Sequence, residues 1–189
     1  MNGITGLVLA GGMGRRMDSR DKGLVEFRGK PMVAHVIDRL ARQVDSLIIN
    51  ANRSLSEYGA FGHPVISDEV GGYAGPLAGL HAGLKACATP FIVTAPCDSP
   101  FLPPDLVARL FEALQENIAE LAVAKTGDQA QPVFALYSAS LLPSLTQFLE
   151  SGGRKIDAWY STHRVVEVLF PDESAFANIN TIADLQALQ

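Results

Sequence analysis

Sulfur is scarce in this chain, with two cysteines, Cys87 and Cys97, in 189 residues and no C-x-x-C pair. That excludes a disulfide scaffold and a zinc knuckle, and leaves two ordinary buried thiols. Positive charge is not in excess either. Fifteen Lys and Arg stand against twenty Asp and Glu, a net charge of −5. General binding to nucleic acid or to a membrane surface needs a positive field over much of the surface, so neither partner is expected. Long apolar runs are missing too. The stretch Ile4 to Ala10 is shorter than a membrane span, or than a signal peptide's apolar region with its cleavage site, and the expected location is cytoplasmic. The four histidines, His35, His63, His81 and His163, show no metal-ligand spacing and are assigned no chemistry. Repeats, low-complexity tracts and long linkers are absent. Residues 1–189 are read as one domain, which buries about 70% of its unfolded surface.

Against that background the run from Leu7 to Lys22, LVLAGGMGRRMDSRDK, stands out. A short apolar strand opens into a loop with Gly11, Gly12 and Gly14, and then Arg15, Arg16, Arg20 and Lys22. Glycines let backbone amides approach a ligand closely and the cations supply countercharge, so the loop reads as a phosphate cradle rather than a solvated turn. It is not the dinucleotide fingerprint, whose sixth place counted from Gly12 is Met17. Nor is it a Walker loop, because Lys22 is followed by Gly23.

Apolar runs at Leu7 to Ala10, Ser46 to Asn50, Pro64 to Ile66 and Phe91 to Ala95 lack polar alternation and read as buried parallel strands. Between them, Pro31 to about Gln43 carries an apolar stripe with Pro31 at the first helical position. Gly75 to Ala86 is helical with Gly79 and Gly83 at packing positions, and Asp105 to about Gln115 forms another helix. Leu121 to Ala124, Val133 to Leu136 and Arg164 to Leu169 suggest further strands; Leu141 to Leu149 and Ile182 to Leu188 suggest helices. The class is α/β, a mostly parallel central sheet with helices on both faces, in which ligands sit beyond the carboxyl ends of the strands.

The chemistry-bearing residues do follow strands: the glycine loop, then Asn50 with Asn52 and Arg53, then Asp68, then Asp98 after FIVTAPC. Asp98 is read as a magnesium ligand, since the nearest good helix for it to cap begins only after Pro103-Pro104 and magnesium prefers one or two carboxylates plus phosphate oxygens. Asp68 reads equally as a turn residue. The Asn50 carboxamide suits a base edge or a ribose. Gly75, where a helix follows Gly71-Gly72-Tyr73, offers amides and a helix dipole to an anion.

LAGGxxxRM followed by DKG, the Lys30-Pro31 pair, NANR, GPLAG, PCDSPF and NINT together resemble the molybdenum cofactor guanylyltransferases over nearly the whole chain. The resemblance implies a Rossmann-like nucleotidyltransferase fold and transfer of GMP from GTP to molybdopterin or molybdenum-molybdopterin, with Mg2+ and release of pyrophosphate. It also implies that Leu9, Ala10 and Gly11 hold the nucleotide, Lys22 the phosphates, Asn50 and Asp68 the guanosine and Asp98 the metal, while Asn178 and Asn180 face the acceptor. Arg16, Lys22 and Asp98 are then the catalytic set. Cofactor-biosynthesis proteins, and cofactor-accepting apoenzymes or their chaperones, are the further partners implied. Where family loops read RMG, Asp18 follows Met17 here. The related cytidylyltransferases carry LAAG where this chain has Leu9-Ala10-Gly11-Gly12. A cytidylyl or sugar-phosphate nucleotidyltransferase, and a non-catalytic nucleotide-binding adaptor, are the alternatives.

Overall fold

Apolar residues on both sides of the central strands dictate a sheet covered there on both faces, and the computed structural model, which describes residues 3–11, 21–70 and 75–187, has that form. Seven strands lie in the order β5-β4-β1-β6-β8-β7-β9. They are β1 (Ile4–Leu9), β4 (Ser46–Asn50), β5 (Val65–Ile66), β6 (Phe91–Pro96), β7 (Leu121–Thr126), β8 (Gln129–Ser138) and β9 (Val165–Leu169), and the hairpin β2 (Glu26–Phe27) and β3 (Lys30–Pro31) stands apart. β1 pairs in parallel with β4 and with β6, β4 with β5, and β7 with β9, whereas β8 runs antiparallel to both its neighbours.

Consecutive strand residues face opposite ways, which is why the strands show no polar alternation. Val8, Ile49 and Val93 pack with Val33, Val36 and Leu40 of α1 (Met32–Leu40) and Leu106, Leu110 and Leu114 of α4 (Leu106–Glu116). Their chain neighbours Leu7, Ile48 and Ile92 pack with Leu77, Leu80 and Leu84 of α3 (Pro76–Ala86), with Leu145 and Leu149 of α5 (Leu142–Glu150), and with Trp159 of α6 (Ile156–Tyr160). A third cluster joins Phe27, Met32 and Ile179 beside the C-terminal helix α7 (Ile182–Ala187). Gly83 is a packing glycine as expected: a Cβ there would lie 2.5 Å from Leu7 Cδ2.

Some boundaries differ from those expected. Pro31 is not the first helical residue; it ends β3 with extended ψ of 141°, and α1 starts at Met32, whose amide donates to Val25 O at 2.9 Å. The strand expected at Val133 to Leu136 is a ten-residue strand, which holds Pro132 because its register against β7 jumps from Ala135 to Gln131. Proline has no amide for a ladder, and a bulge is where a strand tolerates it. The bulge also explains a polar residue inside β6. Thr94 is 1% exposed and its hydroxyl donates to Val133 O at 2.9 Å. Two short helices, α2 (Leu55–Gly59) and α6, have no periodic stripe to announce them.

His81 on α3 is 6% exposed, with Nε2 2.9 Å from Thr146 Oγ1. The Thr146 hydroxyl gives its proton to Leu142 O, so it accepts from His81, which fixes the proton on Nε2 and leaves Nδ1 buried without a hydrogen bond among the described residues. Burial, aided by Lys85, holds the His81 pKa below its ordinary value. Below about pH 6.5 the unfolded chain therefore takes up a proton that the folded one resists, and stability falls. Acidifying from about pH 7.5 to about pH 5.5 is expected to lower the melting temperature of the wild type more than that of His81→Gln, which keeps a donor for Thr146. Equal losses in calorimetry would contradict this.

Candidate functional site

Three strands end side by side. Ala10 N donates to Asn50 O at 2.8 Å and Cys97 N to Leu9 O at 3.0 Å, so the carboxyl ends of β4, β1 and β6 form one rim. The chain returns from β4 and β5 to the other side of β1 by way of α3 and β6, and a crevice opens where the strand order reverses. At about 4.8 Å per strand, the β4 and β6 ends of the rim are about 10 Å apart. Each end carries its own polar cluster.

At the β4 end, Asp68 is no mere turn residue. Its two oxygens accept from Asn50 Nδ2 at 2.9 Å and Asn52 Nδ2 at 2.8 Å, and its amide donates to Asn52 Oδ1 at 2.9 Å. Asn50 is 2% exposed. It is walled in by two glycines, because a Cβ on Gly11 would lie 3.1 Å from Asn50 Oδ1 and one on Gly79 would overlap that oxygen and come within 2.7 Å of Leu9 Cδ2. The expected role of Gly79 in helix-on-sheet packing is thus also a role in seating Asn50. The amide of Ala10 and the carbonyl of Leu9 are spent on the sheet, and Gly11 is the first residue of the loop whose backbone faces the cluster.

At the β6 end, Lys22 Nζ is bonded to Asp98 Oδ2, and also donates to Asn180 Oδ1 at 2.6 Å. The side chains are 20% exposed for Lys22 and 14% for Asp98. The segment carrying Asn180 is fastened there by Ile179 N, which donates to Asp98 O at 3.0 Å, and by the buried Ser99 hydroxyl, which donates to Asn178 Oδ1. Asn178, expected to face an acceptor, is engaged with Ser99, whereas Asn180 shares the Lys22 ammonium with Asp98. Thr181 and Asp184 cap α7 reciprocally: Asp184 N donates to Thr181 Oγ1 at 3.1 Å and Thr181 N to Asp184 Oδ2 at 2.9 Å.

Two oxygen donors meeting on one ammonium is a cation site by its chemistry. No group of three or more His, Cys, Asp or Glu able to hold a metal occurs among the described residues. A carboxylate beside an amide oxygen is a hard-oxygen set of the kind that fits magnesium, which accepts one carboxylate and completes its shell with phosphate oxygens and water.

The meaning of DKG was only partly legible. Asp21 is a buried carboxylate, its side chain 7% exposed; Tyr58 Oη donates to its Oδ1 at 2.5 Å and Arg53 Nε faces its Oδ2 at 3.5 Å. Gly23 lies against the same wall, where a Cβ would meet Tyr58 Oη at 2.6 Å and Cys97 Sγ at 3.2 Å. Burial pushes the Cys97 thiol far up, which keeps it an inert, protonated packing group as expected. No sequence signal marks Tyr58, and Asp21 is marked only as the first residue of the DKG that the resemblance quotes. Gly75 takes a φ of 61° as it leads into α3, a conformation that favours glycine. Gly12, Gly14, Arg15, Arg16, Asp18 and Arg20 lie outside the described residues, as do Gly71, Gly72 and Tyr73. The histidines carry structural contacts: His35 Nε2 meets Phe27 O at 2.8 Å and His163 Nε2 meets Ser144 Oγ at 2.9 Å. No helix among the described residues is long and apolar enough to cross a membrane.

Residues 6–165 match the model of the MobA-like NTP transferase domain. The chain is 56% identical over 189 aligned residues, 97% of its own length and 95% of the relative's, to a molybdenum cofactor guanylyltransferase of Cupriavidus taiwanensis. Among solved structures, the molybdopterin-guanine dinucleotide biosynthesis protein A of Archaeoglobus fulgidus is similar, with a TM-score of 0.78 and 25% identity, covering 97% of this chain and 96% of that one. A Mycobacterium tuberculosis protein solved in complex with manganese shares the fold at a TM-score of 0.71 and 20% identity, covering 98% of this chain and 97% of that one.

Proposed function

Because the chain belongs to the MobA-like NTP transferases, as a molybdenum cofactor guanylyltransferase, we propose that its two-ended rim holds GTP with the base at Asn50 and Asp68 and the phosphates at Lys22 and Asp98. The activity is guanylyl transfer that forms molybdopterin guanine dinucleotide. One nucleotidyltransferase domain carries the whole site in this reading. The single observation behind it is the pairing of an amide-carboxylate cluster at one end of the rim with an ammonium-carboxylate pair about 10 Å away at the other.

The acceptor's terminal phosphate has its second pKa near 6 and is already a dianion at neutral pH, so no general base is required. His35, His81 and His163 are accordingly free to serve packing. An acceptor oxygen attacks the α-phosphorus of GTP in line, the bond to the β-phosphate breaks, and pyrophosphate leaves. Lys22 holds the phosphates, and Arg16 with the amides at Gly12 and Gly14 contributes countercharge from the loop. Asp98, with Asn180 beside it, would hold Mg2+, which when bound supplies charge neutralisation at the phosphates. Asn178 shapes the acceptor wall through its hold on Ser99, and Gly75 sets the start of the helix that backs the base. The acceptor is molybdopterin or its molybdenum-loaded form, and the protein works in the cytoplasm.

Purified protein incubated with molybdopterin, GTP and magnesium should yield the dinucleotide and pyrophosphate. CTP in place of GTP should yield neither, and preference for CTP would favour the cytidylyl alternative. The base end makes a separate demand. Gly79→Ala drives a methyl group into Asn50, and the expected outcome is a KM for GTP raised about tenfold with kcat changed less, alongside about 1–3 kcal/mol of lost stability from overpacking. An unchanged KM in saturation kinetics would remove Asn50 from the base pocket.

A further inference from the structure

We propose that Tyr58 and Arg53, meeting on the buried Asp21 carboxylate, form a positioning bridge that ties Lys22 to the base-end loop, so that placement of the ammonium on the phosphates depends on how the nucleoside is seated. The proposal rests on the assignment of Lys22 to the phosphates. It goes beyond it by giving three residues outside the substrate pocket a part in the reaction.

The bridge can be followed bond by bond. Asn52 donates to Asp68 Oδ2 at 2.8 Å and stands 3.5 Å from Gly11 O, so it belongs to the base end. The next residue, Arg53, faces Asp21 Oδ2 at 3.5 Å. Asp21 precedes Lys22 and opens the tight turn at Lys22–Leu24, with its carbonyl accepting from Leu24 N at 3.0 Å. Lys22 then meets Asp98 and Asn180. A carboxylate only 7% exposed is costly to bury, and here it is set between a phenol and a guanidinium, each of which comes from the segment following β4. Tyr58 is fully buried, so its hydroxyl has little other use than the 2.5 Å bond to Asp21 Oδ1. Burial, with the neighbouring Asp21 carboxylate adding to it, pushes the phenol far above its ordinary value, which keeps it a donor. The contact at Arg53 is longer than a hydrogen bond, and Asp21 Oδ2 has no hydrogen bond among the described residues. Asp21 is joined to Lys22 by one peptide unit, so the position that Tyr58 and Arg53 give its carboxylate is passed directly to the ammonium.

A double-mutant cycle between Tyr58→Phe and Lys22→Ala tests the bridge. Tyr58→Phe keeps the ring and removes one hydrogen bond to a charged group, and should lower kcat for guanylyl transfer about tenfold with the KM for GTP within about twofold. In the Lys22→Ala background it should have no further effect, because the bridge acts through an ammonium that is no longer there. Additive losses would mark a merely structural role and overturn the proposal, as would an unchanged kcat in Tyr58→Phe. Should Tyr58→Phe fold poorly, Arg53→Lys, which keeps the charge but not the guanidinium geometry, enters the same cycle with the same two outcomes. Full activity of Lys22→Ala itself would instead refute the phosphate role on which the bridge depends.

Discussion

Replacement of Asp98 by alanine is expected to abolish guanylyl transfer, on the order of 1000-fold or more, in a protein that still folds and still binds GTP at its base end. The carboxylate follows β6, where the preceding residues are apolar and the backbone is held by Cys97 N on Leu9 O and by Ile179 N on Asp98 O. None of those bonds uses the side chain, so alanine leaves the backbone in place. Lys22 loses one partner but keeps Asn180 Oδ1 at 2.6 Å. The structural cost should therefore show as a drop of about 2–4 °C in melting temperature, equivalent to about 1 kcal/mol. What disappears is the carboxylate proposed to hold magnesium at the phosphate end. The increment in melting temperature that magnesium adds to GTP should vanish with it, while the increment from GTP alone remains. Transfer at a near wild-type rate would sink the assignment of the metal to Asp98.

Lys22→Ala is expected to lower kcat for transfer 100-fold or more, the cost of removing one preorganised electrostatic donor, about 2.7 kcal/mol or above. The ammonium neutralises Asp98 and satisfies Asn180. In the proposed reaction the same ammonium becomes countercharge for the departing pyrophosphate, a service made in the transition state more than in the ground state. The loss should therefore appear in kcat more than in the affinity for GTP measured by thermal shift. Lys22→Arg should restore only part of the rate, since a planar fork in a space already shared by Asp98 and Asn180 does not present a point charge. Unchanged kinetics for the alanine variant would contradict the phosphate role.

The strands of the nucleotide-binding half were legible because a parallel strand buried on both faces is a plain run of β-branched and aromatic residues, as in SLIIN and FIVTA. Once those were placed, the rule that ligands sit beyond carboxyl ends brought Gly11, Asn50, Asp68 and Asp98 to one rim without any contact being visible. What periodicity could not carry was relation across distance. β8 looked four residues long because Pro132 breaks the pattern, and only the bulge opposite Val123 and Ala124 makes room for it. Asp21 is legible only as the first residue of DKG, with no sign of what it meets. Its burial depends on Tyr58 and Arg53, which are 30 or more positions later and lie in a short helix and turn with no stripe of their own. Asn178 and Asn180, two positions apart, looked alike. The register of the segment on Asp98 O sends one to Ser99 and the other to Lys22.

That last segment has a consequence for how the protein is made. The base-end contacts close between residues 18 positions apart and are backed by α3, so all of their residues are synthesised before the later strands. Those of the phosphate end are not, because Lys22 meets Asn180 across 158 positions. At about 5–20 residues per second, a ribosome needs on the order of 10 s between the two. Throughout that interval Lys22 has no Asn180 to meet, so the phosphate end of the rim is the last part of the crevice to be completed.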